Sequence, residues 1–207
     1  MSGILQLFGL AGSSYSAEAT ALFARMSTPL TSARKALINT AISSLIASGV
    51  WAKLDALYVM AAADSQAAGL NWVSTSFNIT VVGSPTFTTD RGYNSTDLGS
   101  TNYLDTTFNP STAGGFYVRD SAHFSVWSRT SAVNGIADGT FSSPNGAYIL
   151  PRFTGDVIPW AINGPGETRP ANTDGSGLYT STRTGSTATA LYRNGVSEQT
   201  GTTASVA

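Results

Sequence analysis

The chain has 207 residues, enough for one domain with a real core, and only 11% of it is charged, against roughly a quarter in ordinary soluble domains. Its net charge is −1, with eleven Lys and Arg scattered along it, so no stretch offers the clustered positive field that nucleic acid or an anionic membrane requires. The absence of Cys excludes disulfides and Cys-ligated zinc. The apolar run in MSGILQLFGLAGSSYS is short and has no Lys or Arg before it, which argues against a secretory signal, and no segment approaches the length of a membrane span.

Composition changes near Trp72, which divides the chain into a helical segment, residues 1–72, and a β region, residues 73–207. In the first, residues 31–48 give the clearest helix. Thr31 or Ser32 can cap it and Gly49 can end it. Leu37-Ile38, Ala41-Ile42 and Leu45-Ile46 repeat every four residues and form one apolar face. Burying a large apolar side chain yields roughly 1.5–3 kcal/mol, while ordering each backbone costs about 1–2 kcal/mol, so this helix needs a cover. Helices over residues 17–26 and 51–61 are the expected covers, through Leu22, Phe23, Met26, Leu54, Leu57 and Tyr58. A second copy of the chain is the alternative.

Beyond Phe77, short strand-like runs arrive between Gly, Asn and Pro: FNITVV, PTFTT, NYLDTTF, GFYVR, HFSVWSR, GAYILPRF, DVIPWAIN, GLYTSTRT and TALYRNGVSEQ. Ser and Thr make up about a quarter of the chain, and Thr and aromatic residues pack well on a pleat. In HFSVWSR, Phe124 and Val126 share one face and Trp127 takes the other. Asn194-Gly195 suits a two-residue turn with positive φ, so residues 189–200 read as a hairpin in which Thr189, Leu191 and Arg193 alternate with Ala190 and Tyr192. The fold class expected is α+β overall, an N-terminal helical segment followed by an antiparallel β-sandwich. The tail GTTASVA reads as the start of further chain, so the sandwich is expected to be incomplete at its C-terminal edge or completed by another subunit.

Three stretches carry a resemblance: ARKALINTAISSLIASGVWAKLDALYVMAAADSQAAGLNW, SPTFTTDRGYNSTDLGSTNYLDTTFNPST and HFSVWSRTS. Together they resemble tailed-bacteriophage and prophage structural proteins, and TALYRNGV is similar to the sheet hairpin of concanavalin A-like or laminin G-like jelly rolls. The resemblance implies a virion component, assembled in the host cytoplasm, at a tail fibre, spike, baseplate or capsid position. Its partners would be other virion proteins and copies of itself, with a trimer favoured because such proteins meet repeating lattice sites. A carbohydrate-binding adhesin for bacterial surface polysaccharide is the alternative, and a polysaccharide depolymerase a third.

Chemistry-bearing residues are sparse. Cleaving a glycoside takes two carboxyl groups held roughly 5–9.5 Å apart, and glucanases of this fold carry Glu-x-Asp-x-x-Glu on one strand. Nothing like it occurs here. Glu167 and Glu198 stand alone in the β region, and Asp90, Asp97 and Asp105 lie in loop-like contexts that suit turn caps. His123 follows Asp120 and Ser121 but reads as a strand-edge residue, because neighbours in an extended chain point in opposite directions. No Asp-x-Asx-x-Asx-Gly calcium loop is present and NGPGETRP lacks the phosphate-cradling pattern. No enzyme and no cofactor are therefore expected. For sugar binding, the best local cluster is Trp160, Asn163 and Arg169 in PWAINGPGETR, an aromatic face beside forking polar groups. The alternative is that Trp160 fills the core and Asn163-Gly164 makes a turn.

Overall fold

A computed structural model describes residues 14–94, 101–134, 138–140 and 146–206. Helix α1 (Ala17–Phe23) starts at Ser16, whose hydroxyl accepts from the Ala19 amide. Helix α2 (Ser32–Ala47) starts at Thr31, whose hydroxyl accepts from the Arg34 amide. Gly49, at φ 72, supplies the left-handed residue beyond its end. A 3-10 turn at Trp51–Lys53 and a single turn α3 (Ser65–Ala68) complete this part. Ala19, Leu22, Ile42, Leu70 and Trp72 form its core, with Ile38, Met26 and Leu57 packed around them.

Two expectations need correction here. The stretch 51–61 is a helix only through Lys53. Leu57 instead donates its amide to Asn71 Oδ1 at 3.1 Å and accepts at its carbonyl from the Trp72 amide at 2.8 Å, so tertiary partners take the backbone groups that a helix would use. The apolar face of α2 is also only half covered. Ile42 is fully buried, but Leu37 is 73% exposed, because α1 and the 57–72 segment reach only the Ile38–Ile42 side.

Next come β1 (Thr80–Val82), β2 (Thr86–Thr88), β3 (Gly92–Asn94), β4 (Tyr103–Asp105) and a short helix α4 (Pro110–Ala113). The β2–β3 hairpin is tied to the helical part by an Arg34–Asp90 ion pair at 2.7 Å and by the Asp90 amide on the Ala62 carbonyl. Asp55 joins the helical and β parts, its carboxylate accepting from the Phe116 amide at 2.9 Å and from the Tyr117 amide at 2.7 Å.

The remaining strands are β5 (Ala122–Ser128), β6 (Asp138–Thr140), β7 (Gly146–Ile149), β8 (Trp160–Gly164), β9 (Gly177–Gly185), β10 (Ala188–Arg193) and β11 (Val196–Gly201). They form two antiparallel sheets, β11-β10-β9-β5 and β6-β7-β8. Ile149, Trp160 and Ile162 from one sheet and Ala122, Tyr179 and Leu191 from the other make one core, with Ile158 beside them. The architecture is α+β with antiparallel layers compatible with a β-sandwich. GFYVR contributes only an isolated bridge at Val118, and β3 was not among the expected strands.

Asn194 and Gly195, at φ 51 and 80, turn β10 into β11, and β11 forms one edge of the four-stranded sheet, with β5 at the other. The tail after it folds back onto the layers. The Ser205 amide reaches the Ser186 carbonyl at 2.8 Å, and the Val206 amide reaches the Asn163 carbonyl at 3.0 Å. Arg183 Nη1 donates to the Thr203 carbonyl at 3.1 Å.

Candidate functional site

The geometry dismantles the cluster expected from PWAINGPGETR. Trp160 is fully buried. Its indole Nε1 donates to the Thr168 carbonyl at 3.0 Å, which satisfies the ring's polar atom inside the core. No face of that ring can meet a sugar. Asn163, at φ 49, spends its amide on the Val118 and Arg119 carbonyls at 3.1 Å each. Arg169 is exposed. The core half of the alternative describes Trp160, but the expected turn needs correction: Asn163 and Gly164 lie inside β8, where Gly164 pairs with Gly146 at an irregularity in the β7–β8 ladder.

The acids are held apart by different partners. Glu167 Oε1 accepts from Thr189 Oγ1 at 2.6 Å and also from Thr203 Oγ1. Asp90 pairs with Arg34, whose guanidinium hydrogen bond holds its carboxyl below the usual carboxylate range. Asp105 Oδ1 caps a turn by accepting the Thr107 amide at 2.7 Å, and Asp97 lies outside the described residues. Among the described residues no group of three His, Asp or Glu is placed to hold a metal ion. Near the core, burial pushes the Tyr117 phenol up to about 12, beside the buried Arg183.

A different surface stands out. Strand alternation sends Tyr179, Ser181 and Arg183 of β9 into the core and Leu178, Thr180 and Thr182 outward. Across the β5–β9 ladder, His123 faces Thr182, Ser125 faces Thr180 and Trp127 faces Leu178. On the other side of β9, Tyr192 of β10 faces Thr180. Trp127 is 65% exposed and Leu178 39%. The centre of the face is polar, with Ser125 Oγ and Thr180 Oγ1 bonded to each other at 2.8 Å, while Thr182 Oγ1 donates to the Ala190 carbonyl at 3.4 Å. His123 lies here, exposed, at the second position of the strand.

The outward positions of β5, β9 and β10 carry no Asp, Glu, Lys or Arg. Over these three strands the face is uncharged and rich in hydroxyls, with Trp127 in solvent, while the exposed Glu198 belongs to β11 at the far edge of the sheet. Trp is among the residues that folding usually buries, so core packing does not account for Trp127. Sequence reasoning missed this surface, although HFSVWSR already set Trp127 opposite Phe124 and Val126. Such a face can stack an aromatic ring on a partner and offer hydroxyls beside it. Comparisons with protein-family models, curated proteins and solved structures find no match to this chain.

Proposed function

We propose that the chain is a non-enzymatic component of a tailed-phage particle. Residues 1–72 attach it to the particle or to symmetric copies of itself, a trimer in the simplest arrangement. The antiparallel layers beyond Trp72, read as a concanavalin A-like jelly roll, display the outer face of the four-stranded sheet as a recognition surface. The observation that carries this reading is Trp127, 65% exposed on that face, where burial would have gained roughly 1.5–3 kcal/mol or more. The separate engagement of Glu167, Asp90 and Asp105 supports recognition over cleavage.

Particles induced from the bacterium that carries the gene, purified on a density gradient and measured by quantitative mass spectrometry, test it. The polypeptide is expected in a copy number that matches a symmetry axis of the particle. Its absence from the purified particles ends the proposal. The adhesin reading is the one the same face favours as a role for the displayed surface, with bacterial polysaccharide as the partner.

A further inference from the structure

We infer that the outer face of the four-stranded sheet binds a neutral polysaccharide chain, with Trp127 stacking on the apolar face of one sugar ring and the Ser125, Thr180 and Thr182 hydroxyls meeting its polar edges. The inference rests on reading that face as the recognition surface and specifies what it recognises. A pyranose presents C–H groups on one side and hydroxyls around its rim, so it needs an aromatic plane next to small donors and acceptors. Trp127 beside the Ser125–Thr180 pair provides that combination.

Charge narrows the ligand further. No formal charge stands at an outward position of β5, β9 or β10. A polyuronate or phosphorylated glycan would lose hydration there without meeting a cation. A protein partner fits less well, since stable interfaces concentrate apolar area at their centre, whereas the middle of this face is the Ser125–Thr180 hydroxyl pair.

Spacing sets the ligand's size. Trp127 sits on β5, and Tyr192 sits two strands away on β10 and two residues along. Strand spacing and rise put the Cα positions that carry these two rings about 12 Å apart. That span exceeds one pyranose, so a chain of sugars is held where a monosaccharide is not.

The full chain is tested by affinity electrophoresis and calorimetry against dextran, laminarin and galactomannan as neutral probes. Alginate serves as the charged one. Binding to at least one neutral probe is expected, equal in low and high salt and absent for the matching monosaccharide. Trp127→Ala should weaken it about tenfold, while Trp127→Phe retains most of it. Thr180→Lys, which adds charge to an outward, half-buried position, should also weaken binding of the neutral probe.

Binding to alginate alone, no binding to any neutral probe, or neutral binding untouched by Trp127→Ala overturns the inference. Adsorption of particles carrying Trp127→Ala separates this failure from that of the broader reading. Lost adsorption without polysaccharide binding leaves the recognition surface standing with a different ligand. Unchanged adsorption removes the surface as well, and a change of oligomeric state in Trp127→Ala reassigns the face to contact between copies.

Discussion

Truncating two tryptophans separately gives the sharpest test of how the layers are arranged. Trp160 is fully buried against Ile149, Ile158, Ile162, Tyr179 and Leu191. Removing such a ring costs about 3–5 kcal/mol through lost transfer energy and the cavity left behind. Losing the Nε1 bond also strands the Thr168 carbonyl and adds about 1 kcal/mol. For a chain of this length each kcal/mol lowers Tm by roughly 2–4 °C, so Trp160→Ala should melt about 10 °C or more below the parent. Trp127→Ala removes a ring that is 65% exposed and should change stability by less than about 0.5 kcal/mol. Urea unfolding followed by far-UV circular dichroism is the appropriate assay, because its signal comes mainly from the backbone and the midpoint does not depend on its amplitude. Equal losses for the two variants, or a Trp160→Ala midpoint unchanged at constant m-value, would refute the assignment of inner and outer faces.

Arg183→Met should cost about 2–3 kcal/mol, since Nε and Nη1 serve the Ile162, Ser186 and Thr203 carbonyls from a buried position. Amide exchange at Ser205 and Val206 should accelerate with it as the tail loses its anchor. Asp55→Ala removes the acceptor of the Phe116 and Tyr117 amides; hydrogen exchange should rise at those two amides, with a loss of about 1–2 kcal/mol. Bonds from the Ser176 amide and hydroxyl, and then from Arg193, depress the Asp174 carboxyl from 3.8 to about 2. Its stabilisation is therefore present above pH 3.8 and disappears as pH falls through about 2. A carbon-detected NMR titration should show Asp174 ionised throughout that window. A midpoint at the ordinary value would contradict the geometry.

What was legible in the sequence follows from local chemistry. Asn194-Gly195 fixed a turn that needs positive φ, and Thr31 with Gly49 bracketed α2 to within a residue or two. Thr189 and Leu191 point inward and Ala190 and Tyr192 outward, as alternation alone requires. Failures arose where partners distant in sequence decided the outcome. Residues 54–61 have helical composition, yet Asn71 and Trp72 capture the Leu57 backbone. The two tryptophans show the same limit at the site. Periodicity puts Trp127 opposite Phe124 and Val126 but does not say which side faces the second sheet, and PWAINGPGETR offers Trp160 beside polar groups without showing that the β7–β8 layer encloses it.

The inner and outer faces of β9 are mechanically one object, and this gives the proposed site its stiffness. Tyr179 is held by Asn172 Nδ2 at 2.9 Å and donates to the Asp174 carbonyl at 2.9 Å. Two residues along, Ser181 is buried opposite Leu191 and Phe124, and Arg183 is bonded to four carbonyls. The bonds of Tyr179 and Arg183 fix the backbone from which Leu178, Thr180 and Thr182 project outward. A ligand on that face therefore meets groups already ordered by folding, and the entropy of arranging them is not charged to binding. Loosening the inner row should weaken ligand affinity without touching the outer face. Arg183→Met, assayed at a temperature where it stays folded, should therefore bind the neutral probe more weakly while keeping Trp127 in place, whereas equal affinity would mean that the outer face orders itself.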